Sequence, residues 1–171
     1  AACNPMALPV PTPTPTRGLV DDLAIYKPAL TSTAQNDLAL IDRPTRYTLN
    51  LTYDAATPTL SGSEEVVYFN RQTVPLDEIY FRLFANYPDS GGKIDVTRVT
   101  IDGADVTPTR QVQNTALRVP LATPLSPNGS IKLHLEFTVT VPVGKNGHYN
   151  DFIASDSIVT LPTVYPLIPA Y

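Results

Sequence analysis

The amino-acid sequence predicts a mainly β fold: an antiparallel two-sheet sandwich, saddle-like in form, preceded by a short helical lead-in. Three observations predict it. From Tyr47 onward apolar residues recur with a period of two, the mark of half-buried strands. Asp102-Gly103, Asn128-Gly129 and Asn146-Gly147 punctuate those runs with dipeptides that favour tight turns. Eighteen prolines in 171 residues leave little room for long helices or unbroken central strands.

The elements follow in order. Residues 1–16 form a leader that ends in a Pro/Thr tract from Pro9 to Thr16, an extended and semi-rigid spacer. Residues 17–44 carry the helical signals. Leu19, Val20, Leu23 and Ala24 suit a short turn of helix that Pro28 stops. A second helix is expected over Ala29 to Leu40, with Leu30, Ala34, Leu38 and Ile41 near one face, and Arg43-Pro44 ends it. A β-domain is expected over 45–171, truncated at its C-terminal end. Tyr47, Leu49, Leu51 and Tyr53 alternate with Thr48, Asn50 and Thr52 in the first strand. Leu60 to Asn70 is the second, with Gly62 expected to mark a bulge or bend. Leu76 to Phe84 places Ile79, Phe81 and Leu83 on one face. Ile94 to Ile101 runs into the Asp102-Gly103 turn, and Ala104 to Gln113 and Thr115 to Leu121 follow. In the clearest strand, Ile131, Leu133, Leu135, Phe137, Val139 and Val141 alternate with polar residues. Short strands near Phe152 and Ile158 bring the expected total to seven to nine.

Composition excludes several functions. The net charge is −4 and there is no Lys/Arg cluster, so nothing tracks a phosphate backbone and no nucleic-acid partner is expected. Uncharged stretches are broken by proline and fall short of the ~20 apolar residues a membrane span needs. A single cysteine makes no internal disulfide and no zinc site. Its place is informative, because Cys3 follows Ala1-Ala2 and precedes Asn4 and the spacer. This resembles the end of a bacterial lipoprotein signal, in which the cysteine is lipidated. Lipidation at Cys3 implies an extracytoplasmic chain, lipid-anchored to a bacterial cell membrane. The plain alternative is a chance cysteine in a leader.

No catalytic constellation is visible. His134 lies on the polar phase of its strand and His148 beside a turn, and there is no H-E-x-x-H. Glu64 and Glu65 are strand neighbours, so they point to opposite faces and cannot share a cleft without a bulge. Asn150, Asp151, Ser155 and Asp156 lack the arrangement of a calcium loop. There is no G-x-S-x-G elbow and no phosphate-binding glycine loop. Asn50-Leu51-Thr52 and Asn128-Gly129-Ser130 match the glycosylation sequon but read as plain strand and turn residues. The chain itself is therefore expected to hold no catalytic, cofactor or metal residue.

Several segments carry a resemblance. Tyr47 to Tyr53, the strand from Gly62 ending in Tyr68-Phe69-Asn70, and Leu76 to Asn86 occur in that order, followed by Thr115 to Leu121, Pro124 to Gly129 and Ile131 to Pro142. Together with Tyr165-Pro166-Leu167 they resemble the N-terminal β-domain of zinc aminopeptidases of the membrane alanyl aminopeptidase family. The resemblance implies a non-catalytic domain that scaffolds and walls the cleft of a downstream catalytic domain of the same chain. Zinc is expected only in that absent domain. Pro166 is followed by Leu167, Ile168 and Pro169 rather than by a polar residue, so no substrate-binding residue carries over. Ser157 to Tyr171 is uncharged, and Leu161, Tyr165, Leu167, Ile168 and Tyr171 are expected to form a domain interface. The competing expectation is a stand-alone extracytoplasmic binding sandwich for a carbohydrate or protein ligand.

Overall fold

The computed structural model describes residues 23–144, 152–155 and 158–169. The chain divides into two units, Ala1–Arg43 and Pro44–Tyr171. In the first, Leu23–Ala29 and Ala34–Leu40 are 3₁₀ helices with no buried residue. The sequence expectation differs: Pro28 sits inside the first rather than after it, and the second begins five residues later than Ala29. Turns this short lack a buried apolar stripe, and packing on such a stripe is what most stabilises helices in proteins.

The second unit is mainly β. Among the described residues its strands are β1 (Arg46–Asp54), β2 (Thr59–Phe69), β3 (Leu76–Arg82), β4 (Lys93–Ile101), β5 (Ala104–Asp105), β6 (Thr109–Gln111), β7 (Ala116–Leu125), β8 (Ser130–Thr140), β9 (Ile153–Ser155) and β10 (Ile158–Thr160). The order β1-β2-β8-β4-β5 makes one antiparallel sheet and β3-β7-β6 a second; β9 and β10 pair antiparallel with each other. The two larger sheets form the sandwich. Inward residues of the first include Leu60, Val66, Val96, Val99, Leu133, Leu135, Phe137 and Val139. Ile79, Phe81, Leu117 and Val119 face them from the second, and all are buried. Period-two alternation puts these side chains on one face, and their removal from water is the main force holding the sheets together.

Three local expectations change. Gly62 is no bulge, since β2 pairs with β1 and β8 without a register shift there. It is a place of close approach: a Cβ would lie 2.5 Å from the Phe137 ring and 2.9 Å from Leu51. The bulge lies in β4, where the register against β8 shifts between Val96 and Arg98. The extra residue switches parity, so Ile94 and Val96 point inward before it and Val99 after it. Ala104 to Gln113 is two strands: β5 closes the hairpin on β4, and β6 crosses to the other sheet. The hairpin turn is as predicted, with Asp102 at φ 49° and Gly103 at φ 87°, the left-handed pair such a turn requires.

Candidate functional site: a sealed carboxyl under tyrosines

β2 carries Leu60, Glu64, Val66 and Tyr68 on its core face. Glu64 is therefore held among apolar neighbours by strand parity, opposite Leu49 of β1 and Leu135 of β8. Its side chain is 0% exposed, and neither carboxyl oxygen has a hydrogen-bond partner among the described residues. Loss of water pushes its pKa up to about 9, so the group is a neutral acid at pH 7. Glu65, one residue on, faces outward and pairs with Lys132 at 2.7 Å. The two glutamates lie on opposite faces, as the sequence requires.

Tyr47 lies close enough to this carboxyl to feel its charge, and other tyrosines neighbour Tyr47. The Tyr47 and Tyr165 ring centroids are 5.6 Å apart at an angle of 56°. The Ile168 N–H donates to the Tyr47 Oη at 3.0 Å. Burial pushes the Tyr47 phenol up to about 12; the Ile168 bond opposes this, and the neighbouring acids Glu64, Tyr165 and Tyr68 add to it. The closing segment is fastened to the end of β3, where the Arg82 and Leu167 backbones exchange bonds of 2.7 and 3.1 Å. Leu161, Tyr165, Leu167 and Ile168 are half-buried there, while Val164 and Pro166 are buried. Tyr171, the fifth expected interface residue, lies outside the described residues, as do Cys3, His148, Asn150, Asp151 and Asp156.

A protonated carboxyl in dry surroundings is chemically suited to donate a hydrogen bond or a proton. Here nothing from solvent reaches it, so its visible consequence is for stability. Read from the sequence, Glu64 is only half of an adjacent pair. The signal that finds it is its phase: it shares the inward register with Leu60, Val66 and Tyr68.

The outer face of the five-stranded sheet is polar and holds two open concavities. One, of about 390 Å³, is lined by Asn50, Thr52, Ser61, Ser63, Thr97 and Glu136, among others. The other, of about 460 Å³, is lined by Glu65, Thr100, Asp102, Gly103, Lys132 and His134. His134 is partly exposed there, 3.7 Å from Glu136. Arg98 bonds Asp105 at 2.8 Å and Glu136 at 3.4 Å. Among the described residues no three His, Cys, Asp or Glu side chains are grouped to hold a metal, and no helix is long and apolar enough to cross a membrane.

No protein-family model and no curated protein matches the chain. Among solved structures, an M1 zinc metallopeptidase from Deinococcus radiodurans is similar at 25% identity and a TM-score of 0.45, over 56% of this chain and 20% of that one. A mutant two-domain M1 zinc metallopeptidase bound to L-tryptophan is similar at 23% identity and the same TM-score, over 61% and 22% of the two chains. The chain thus spans about a fifth of the length of these structures.

Proposed function

We propose that this chain is a non-catalytic β-module of a zinc-aminopeptidase-like surface lipoprotein, which scaffolds and walls the cleft of a catalytic domain. One observation carries the reading furthest. Three of the segments that bear the family resemblance lie together: β1 pairs with β2, and Tyr165-Pro166-Leu167 bridges to Arg82 at the end of β3 and packs against Tyr47. The segment fastened there carries half-buried apolar side chains, Leu161, Tyr165, Leu167 and Ile168, which a neighbouring domain would cover. Cys3 is the lipidation site that would hold the whole at the membrane. The zinc and its general base belong to the catalytic domain.

The test is to read the coding sequence beyond Tyr171 and assay both lengths. The longer protein is expected to carry an H-E-x-x-H motif and to release amino acids from aminoacyl reporters, while the 171-residue chain alone does neither. A reading frame without that motif overturns the proposal.

A second reading is favoured by the outer face. Its hydroxyl, amide and carboxylate side chains line two ligand-sized concavities, a composition suited to a hydroxyl-rich ligand. Calorimetric binding of an oligosaccharide, lost in Glu136→Gln, would favour a free-standing binding module instead.

A further inference from the structure

β1 reads Arg-Tyr-Thr-Leu-Asn-Leu-Thr-Tyr-Asp. Around Asn50 it is a palindrome: Leu49 mirrors Leu51, Thr48 mirrors Thr52 and Tyr47 mirrors Tyr53. The single departure is at the ends, where Arg46 mirrors Asp54, its opposite in charge. Such a strand is complementary to itself read backwards, which is how an antiparallel partner meets it.

The strand is placed to be met. β1 is the edge of the five-stranded sheet and pairs with β2 through nine successive residues without a bulge. From Tyr47 to Tyr53 it has no proline and no charge, so it lacks the usual guards of an edge. Parity fixes which backbone groups face outward. The Asn70 N–H donates to the Gly129 oxygen, and the Asn70 oxygen accepts from Asn128. Even-numbered residues of β2 therefore bond toward β8 and odd-numbered ones toward β1. By the direct pairing of Ser63 with Asn50, the even residues of β1 are spent on β2. Among the described residues no strand pairs with the other side of β1, so Tyr47, Leu49, Leu51 and Tyr53 present N–H and C=O at an open edge, where Leu51 is 42% exposed.

We propose that β1 is a self-recognition edge. Two copies of this chain pair antiparallel along Arg46–Asp54 about a two-fold axis at Asn50, joining their five-stranded sheets into one continuous sheet. In that register Leu49 faces Leu51 of the second copy and Tyr47 faces its Tyr53, exchanging about eight backbone hydrogen bonds in all. Thr48 faces Thr52 on the solvent side. Arg46 meets Asp54 twice, once at each end. Asp54 already accepts from the Ala56 N–H and the Thr57 hydroxyl, which holds its pKa below the usual value and keeps it anionic. A carboxylate has acceptor sites to spare for an arginine beyond those two. The axis residue Asn50 forms a non-hydrogen-bonded pair with its own copy, at a Cα separation of roughly 4.5 Å. This inference does not rest on the peptidase reading.

Sedimentation of the 171-residue chain should show a reversible dimer at high micromolar concentration. Arg46→Glu alone and Asp54→Lys alone should each weaken it roughly tenfold or more, because each places two like-charged pairs face to face. Mixing the two variants should restore the dimer. The new glutamate of one copy then meets the new lysine of the other, while the native pair of Arg46 and Asp54 survives at the far end. Register is read separately in a Cys3→Ala background. Asn50→Cys should oxidise to a disulfide-linked dimer, and Thr48→Cys, whose opposite number is Thr52, should not. Both positions face solvent, so folding is spared. A chain that stays monomeric, a mixture that fails to pair, or equal cross-linking at the two positions overturns the proposal.

Discussion

At the scale of single residues, two buried polar side chains, one on β2 and one just past its end, behave oppositely. Asn70 is fully satisfied: its Nδ2 donates to the Val74 and Leu125 oxygens at 2.9 and 2.8 Å, and its Oδ1 accepts from the Gln72 N–H at 2.9 Å. It ties the end of β2 to the end of β7, and Asn70→Ala is expected to cost about 2–3 kcal/mol in urea titration, because it strands those groups. Glu64 has no such partners among the described residues. Its folded pKa of about 9 lies above the ordinary value of 4.5, so between those limits the unfolded chain releases a proton that the folded chain keeps. Stability contributed by the protonated form is full below pH 4.5 and falls as pH rises toward 9. Glu64→Met, similar in length and without charge, should raise the melting temperature at neutral pH by an amount corresponding to roughly 1–3 kcal/mol and flatten the fall in stability between pH 4.5 and about 9. An unchanged slope would mean that another group carries the titration. Glu64 is legible in the sequence only as a member of a strand. Its isolation depends on what β1, β8 and the closing segment put around it, and those contacts are far apart in the chain.

At the scale of elements, the strands with strict alternation are readable and the irregular ones are not. Every inward residue of β8 from Leu133 to Val139 is buried as its period demands, because one face of the strand meets the core along its whole length. β4 defeats simple counting, since its bulge changes parity; the clue is the switch from Ile94 and Val96 to Val99 and Ile101. Gly62 illustrates a different failure. Turn chemistry and close packing both call for glycine, and only the register shows that the Phe137 ring is the reason. Gly62→Ala should therefore destabilise by about 1–3 kcal/mol through overpacking, while leaving strand pairing unchanged by NMR. The β6–β7 turn offers the reverse experiment. Val112, Gln113 and Asn114 all have positive φ, at 47°, 54° and 66°. Val112 is β-branched and exposed, so it holds this conformation against its own preference. Val112→Gly should stabilise the turn by about 1 kcal/mol, read as a higher urea midpoint.

At the scale of the whole β unit, the sheets are fastened by links that join distant parts of the chain. The Ile168 N–H reaches Tyr47 across 121 residues. Arg110 of β6 pairs with Asp95 and bonds the Val96 oxygen at 3.1 Å, tying the smaller sheet to β4 of the larger. Tyr47→Phe removes the acceptor for Ile168 while keeping the ring contact with Tyr165. It is expected to cost about 1 kcal/mol and to speed exchange of the Ile168 amide, with little effect at Leu133 or Leu135. Uniform acceleration across the core would show that the closing segment is not a separate latch.

β8 lies between β2 and β4, although it is made after both. During synthesis the ribosome delivers the β1–β2 pair and the β4–β5 pair first, with nothing to join them and with the edges of β2 and β4 bare. Only when Ser130–Thr140 has cleared the exit tunnel does each find its neighbour, strand by strand, in the registers Val66 with Leu133 and Val99 with Leu135. Until β8 is made, the chain passes through an interval in which β2 and β4 each lack a neighbour, and open edges of this kind invite non-native pairing. A translational pause placed before Ser130 would prolong that interval, and one placed after Thr140 would not.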